Sequence, residues 1–274
     1  MTKRSFLWII ALIITLFTAY YQKKTGPTYP VSGEIKFNNE QINYTLYRSH
    51  GGSEDHKVEV AVKNSLVTGK ILWKRYKTAD EYTEVIMERS DSTLFGFLPH
   101  QPPAGKLQYL IQLSNNNETV GLNDNQAVII RHKGAVPAWA LVPHIIFIFL
   151  SLLFSARAGI EYFAKEKKLT LFVNLTFVTL ILGGFIFGPI VQKFAFDAYW
   201  TGFPFGHDLT DNKVLIALIG WIVAYIFMKR SSKPELWVLI AAIVMMITFL
   251  IPHSVLGSEL DYNKLDKLKT EQIK

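Results

Sequence analysis

Hydrophobic positions in this chain follow two patterns that do not mix. Five continuous apolar blocks, residues 5–21, 137–156, 169–191, 214–228 and 236–251, contain no Asp, Glu, Lys or Arg. Between the first and second blocks, residues 30–134 run as short segments in which apolar and polar side chains alternate. A helix needs roughly 20 apolar residues to cross a hydrocarbon core of about 30 Å, whereas period-two alternation marks half-buried strands. The pattern predicts a membrane α-helical protein with five transmembrane helices and an inserted all-β extracytoplasmic domain. Blocks 137–156 and 169–191 are long enough outright. The other three run short and must borrow flanking polar residues or sit in a locally thinner bilayer.

Within 30–134, strands are expected at 33–37, 42–48, 57–62, 70–76, 82–88, 93–98, 106–113 and 127–132, broken by Gly, Asn, Asp and Pro. Ile42, Tyr44 and Leu46 share a face, as do Val58, Val60 and Val62, and Leu107, Tyr109, Ile111 and Leu113. Such a run of strands suits a β-sandwich of about 100 residues, with Trp73 a candidate core residue. The stretch Leu98-Pro99-His100-Gln101-Pro102-Pro103-Ala104-Gly105-Lys106-Leu107-Gln108-Tyr109, a proline-rich turn entering a Tyr-bearing strand, resembles immunoglobulin-like and fibronectin type III-like modules of bacterial envelope proteins. That resemblance implies an immunoglobulin-like sandwich that binds partners or acts as a spacer, and it implies no chemistry.

Charge changes the picture by giving the helices a direction. Lys3, Arg4, Arg157, Lys165, Lys167, Lys168, Lys229, Arg230 and Lys233 sit at block ends. Positive charge in short loops orients a membrane protein with those loops in the cytoplasm. The expected topology places the N-terminus inside the cytoplasmic (inner) membrane and the β-domain and C-terminus outside. Much of the net charge of +7 is then topological, and nucleic-acid binding is not expected. No small-residue cleavage site follows Tyr20 and Tyr21, so residues 1–21 are expected to remain as an anchor. The linker 22–29, the domain 30–134, a four-helix bundle over 136–253 with an outer aromatic loop 192–213, and a polar tail 254–274 complete the plan. The chain has no cysteine, which excludes disulfides, thiolate metal sites and a cysteine nucleophile. Nucleotide loops, zinc-protease motifs and nucleophile elbows are missing too, so the reading leans away from an enzyme.

Candidate chemistry gathers where the outer ends of the helices meet. Three of the seven histidines fall there: His144 about 10 Å into the second span, His207 in the aromatic loop and His253 at the end of the fifth span. An ionisable side chain inside a span is a functional candidate, and facing histidines can ligate a metal or the iron of a haem b. The bland alternative for His144 is a bond to a carbonyl freed by Pro143. The segment Tyr199-Trp200-Thr201-Gly202-Phe203-Pro204-Phe205-Gly206-His207-Asp208 is similar, in aromatic content and flanking histidines, to the outer loop of membrane proteins that handle haem during cytochrome c maturation. It differs in carrying a single Trp. The resemblance implies cofactor binding by His144, His253, Trp200 and His207. The simpler reading of the loop is aromatic rings at headgroup depth.

Further features have structural explanations. Asp208, Thr210, Asp211 and Asn212 offer oxygen ligands for calcium, but Thr210 or Asp211 as an N-cap is simpler. Lys193 and Asp197, four apart, are expected to pair. His50 and His56 flank a glycine-rich turn that reads as a solvated loop. Gly184 and Gly188 give the third span a small-xxx-small spacing for close helix packing. The leading expectation is a non-enzymatic protein that lies in the lipid bilayer and docks an envelope partner. A haem-handling membrane protein is the alternative. A transporter ranks third, because the spans offer no buried carboxylate or lysine for ion coupling.

Overall fold

The computed structural model describes residues 3–116, 118–253, 255 and 257–272. Parts of the expected anchor and tail (residues 1–2, 254, 256 and 273–274) lie outside that description. The chain divides into two compact units, one built from Met1–Pro27 with Val136–Ser258, the other from Thr28–Ala135 with Glu259–Lys274.

Helix α1 (Lys3–Thr25) opens the first unit and ends before Gly26-Pro27, which cannot continue it. The β-rich unit follows. Strands β1 (Val31–Phe37) and β2 (Glu40–Leu46) form a hairpin whose two turn residues, Asn38 and Asn39, both have positive φ (50° and 61°). That turn matches the twist of paired strands. Four short strands come next: β3 (Ser49–Gly51), β4 (His56–Ala61), β5 (Thr68–Arg75) and β6 (Thr83–Ile86). They are followed by β7 (Glu88–Ser90), β8 (Thr93–Leu98), β9 (Lys106–Asn115), β10 (Glu118–Gly121) and β11 (Val128–Lys133). One sheet runs β3-β11-β9-β5-β6 with β10 paired to β9, and a second runs β4-β8-β7.

Both sheets and the hairpin share one core. Ile42, Leu46, Val58, Val60, Val62, Leu107, Tyr109, Ile111 and Leu113 are all buried in it. Each such aliphatic side chain contributes roughly 1.5–3 kcal/mol on leaving water. Tyr44 and Trp73 are only partly buried against that core, and Ile71 occupies the fully buried place on β5. The strand expected over 82–88 is split. Met87 is buried, and the chain passes there from β6 in one sheet to β7 in the other.

Helices α2 (Ala138–Ile160), α3 (Leu169–Leu180), α4 (Gly188–Phe196), α5 (Leu209–Arg230) and α6 (Pro234–Leu250) complete the first unit. A π-helical turn, Ile181–Phe187, joins α3 to α4. Pro189 has no N–H to return to an earlier carbonyl, and a wider turn relieves the mismatch. Among the described residues, four helical segments are long and apolar enough to cross a membrane: Arg4–Thr25, Ala138–Phe163, Leu169–Phe196 and Leu209–Arg230. This corrects the expected count of five. The fifth block does form a helix, but α6 has only 17 residues, about 25 Å at 1.5 Å per residue.

Two glycines let these helices close. A Cβ on Gly183 would stand 2.8 Å from the Ile148 backbone nitrogen, and one on Gly184 would stand 2.6 Å from Val214 Cγ1. A Cβ on Gly188 would stand 3.2 Å from Gly183 O, a milder crowding, so the tightest pair is Gly183–Gly184 and not the spacing to Gly188. At the other end of α2, Arg157 is buried instead of lying in a basic loop. Its Nη1 is 2.5 Å from Glu161 Oε1, with both side chains out of water. The guanidinium lies 4.6 Å from the Phe172 ring and 5.5 Å from the Trp8 ring, and Glu161 Oε2 accepts the Lys168 N–H at 2.7 Å.

The last element, α7 (Tyr262–Gln272), packs in the β-rich unit. Lys106 and Lys77 bind Glu259 at 2.6 and 3.0 Å, Arg75 binds Asp266 at 2.8 Å, and the Leu260 N–H donates to Ala104 O at 3.1 Å.

Candidate functional site

The loop between α4 and α5 is held by two carboxylates that its aromatic sequence conceals. Asp208 and Asp211 are each 7% exposed. Asp211 Oδ2 accepts the backbone N–H groups of Thr201 (2.6 Å) and Gly202 (3.0 Å) and the Gln192 amide (3.1 Å). Asp208 Oδ2 accepts from the Ser258 N–H at 2.8 Å and the Ser258 hydroxyl at 2.9 Å. Its Oδ1 accepts the Thr210 N–H at 2.8 Å, so Asp208 is the N-cap of α5, in place of the expected Thr210 or Asp211. Asn212 Oδ1 accepts the Phe203 N–H at 2.7 Å. Burial opposes ionisation of Asp208, but the bonds from Ser258 and Thr210 outweigh it and hold its carboxyl below the usual value. These oxygens are occupied by protein donors, the arrangement of a scaffold and not of a cation site. Among the described residues, no group of three or more His, Cys, Asp or Glu is placed to hold a metal ion.

Lys213, one turn into α5, is 2% exposed, and its ammonium donates to Ile251 O at 2.9 Å. Gln22 on α1 donates to Phe249 O at 2.8 Å. Both cap carbonyls that the end of α6 leaves without helical partners. The expectation that no carboxylate or lysine is buried in the spans is therefore corrected. Asp211, Lys213 and the Arg157–Glu161 pair all are.

On this scaffold the rings divide into inner and outer sets. Trp200 stacks on Phe185 with centroids 5.7 Å apart, and its indole N–H donates to Phe203 O at 3.0 Å. Tyr199, Phe203 and Phe205 face outward at 61, 68 and 82% exposure. Lys193 and Asp197 pair at 2.6 Å, as their spacing predicts.

His144 and His253 line one cleft of about 260 Å³ between α1, α2 and the end of α6, with Thr18, Gln22, Lys23 and Phe249. His144 Nδ1 lies 2.8 Å from Gly183 O, in the π-helical turn, and not against a carbonyl freed by Pro143. A carbonyl only accepts, so Nδ1 carries the proton and Nε2 keeps its lone pair, the tautomer common among ligating histidines. Trp200 and His207 do not line this cleft, and His207 is exposed. The sequence pointed to Asp208 and Asp211. It gave no signal for Gln192, Thr201 and Ser258, small polar residues whose roles arise only when distant segments meet.

No protein-family model matches the chain, and no curated protein matches it either.

Proposed function

We propose that the protein is a non-enzymatic docking component of a membrane complex, seated in the cytoplasmic membrane with its aromatic loop and β-rich unit on the outer side. The observation that carries this reading is the rigid presentation of Tyr199, Phe203 and Phe205 on a backbone fixed by Asp208, Asp211 and Asn212. Large rings held in place before binding lose little conformational freedom when a partner covers them, which is how aromatic anchors dominate interfaces. The short basic turns between helices support the sidedness. The test is photo-crosslinking in intact membranes from positions 203 and 205. Discrete protein adducts, lost when Tyr199 and the other ring are changed to Ser, are expected. Crosslinks to lipid alone would reduce the loop to an interfacial anchor and end the docking reading.

A second reading is favoured by the cleft shared by His144 and His253. The His144 tautomer suits an axial ligand of haem, whereas the cleft is smaller than the ~300–1,000 Å³ of most ligand pockets. An optical spectrum of the detergent-purified protein decides it. A Soret band that shifts on reduction and disappears in His144→Ala is the outcome that supports haem. A band that survives in that variant removes it.

A further inference from the structure

Four histidines meet at one end of the β-rich unit. His50 on β3, His56 on β4, His100 just after β8 and His132 on β11 are dispersed in sequence, and the pairing of β3 with β11 and of β4 with β8 assembles them. The Nδ1 atoms of His50 and His56 are 3.2 Å apart. The His132 ring lies 5.5 Å from His50 and 5.9 Å from His100. His132 is fully buried and His56 nearly so.

Their partners set the tautomers. His50 Nε2 lies 2.8 Å from Glu54 O and must donate to it, so His50 Nδ1 can only accept. His56 Nδ1 is then the donor in the pair, and its Nε2 carries a lone pair. His132 Nδ1 accepts from the Gln101 N–H at 3.4 Å, so its proton is on Nε2. Both Nε2 atoms, of His56 and of His132, are buried without a hydrogen-bond partner among the described residues. His56 and His132 are thus seated as neutral imidazoles.

The surroundings do not welcome a further proton. Asp55, the carboxylate nearest the cluster, is in an exposed turn and accepts the His100 N–H at 2.7 Å. Glu54 is exposed on the same turn. Arg48 before β3, Arg131 and Lys133 on β11, and Lys106 at the head of β9 bring positive charge to the same strands. The Tyr47 ring meets His56 edge-on with centroids 6.0 Å apart, and the Tyr109 hydroxyl donates to Tyr47 O at 2.9 Å.

What the cluster holds is the last segment of the chain. The His132 N–H donates to Gly105 O at 2.8 Å, and the Ala104 N–H donates to His132 O at 3.1 Å. Ala104 O in turn accepts the Leu260 N–H at 3.1 Å, and Gln101 Oε1 accepts the Tyr262 hydroxyl at 2.9 Å.

We propose that the four-histidine cluster is an acid-sensitive latch. At neutral pH it clamps residues 99–105 against β11, and protonation of His56 or His132 releases them together with residues 259–272. Burial, reinforced by the neighbouring imidazoles, lowers His56 and His132 from 6.5 to about 4 in the closed form. A released histidine regains its ordinary value, so opening is favoured about 30-fold per histidine at pH 5 relative to pH 7.5.

Amide hydrogen exchange on the full chain in lipid nanodiscs, corrected for intrinsic rates, tests this. Protection at Ala104, His132 and Leu260, whose N–H groups make the bonds of the latch, should fall together by 30-fold or more between pH 7.5 and 5.0. The double variant His56→Asn, His132→Asn, which puts a non-titrating amide near each Nδ1, should keep its pH 7.5 protection and lose the pH response. If that variant does not fold, His100→Asn serves at an exposed ring. Removing that neighbour, which opposes a proton on His132, should move the midpoint of opening further into acid. Protection unchanged at pH 5.0 overturns the latch. So does protection raised by Zn(II) or Ni(II) at pH 7.5 through the same residues, which would make the cluster a metal site.

Discussion

The aromatic loop and the histidine cluster both bury polar side chains, and they do so with opposite outcomes. In the loop, Asp208 and Asp211 take up backbone N–H groups and the donors of Gln192 and Ser258, so the desolvation of each carboxylate is offset bond by bond. In the cluster, the Nε2 atoms of His56 and His132 are left without partners among the described residues. A satisfied buried network rigidifies, whereas an unsatisfied one leaves a group whose next proton decides stability. The two regions should therefore respond to pH in different windows.

Acid gives the largest expected contrast. An unfolded histidine binds its proton near 6.5 and the folded His56 and His132 near 4, so the unfolded state holds more protons throughout that interval. The β-rich unit is fully stable above pH 6.5 and loses about 2 kcal/mol per histidine by pH 5, with the loss complete near pH 4. Asp208 is held below 3.8, so its contribution is present above that value and is lost only in stronger acid. Variants with Trp73 or Trp221 as sole tryptophan report the two units separately. Trp73 should unfold at a lower denaturant midpoint at pH 5.0 than at pH 7.5, with Trp221 unmoved. Parallel shifts of both would dissolve the contrast.

The remaining tests address the loop and the helices beneath it. Asp211→Ala orphans the N–H groups of Thr201 and Gly202 and should cost about 3 kcal/mol, read as a lower thermal midpoint with early loss of Trp200 fluorescence. Gly183→Ala drives a methyl into the Ile148 backbone and should cost about 1–3 kcal/mol by the same measurement. His144→Phe removes one bond to Gly183 O, which still accepts from the Gly188 N–H, and should cost about 1 kcal/mol or less. A greater loss than in Gly183→Ala would show that His144 carries more than a packing role.

How much of this was legible depended on the range of the signal. Alternation placed the long strands within a few residues, because one buried face imposes its period on the sequence. The strands β3 and β10, of three and four residues, are too short to show a period. Polar Tyr262–Gln272 gave no helix signal, and its place comes from pairs such as Arg75–Asp266 that span the sequence. Apolar blocks revealed the helices but not their lengths, so Arg157 looked like a loop cation when α2 continues past it to Ile160. In the loop, the choice among Asp208, Thr210 and Asp211 as N-cap turned on where Ser258 arrives, which is a tertiary fact. Of the four clustered histidines, only His50 and His56 are close enough in sequence to be noticed together. His100 and His132 join them through strand pairing.

The β-rich unit is made of Thr28–Ala135 and of a final piece that begins at Glu259. A ribosome adding about 5–20 residues per second needs roughly 6–25 s to make the intervening stretch. During that interval Lys106, Arg75 and Ala104 wait for partners that have not been synthesised. The nascent protein therefore passes through a stage in which most of the first sheet can pair while its last binding surface stands open. That surface is the place where a chaperone would find the newborn chain different from the finished one.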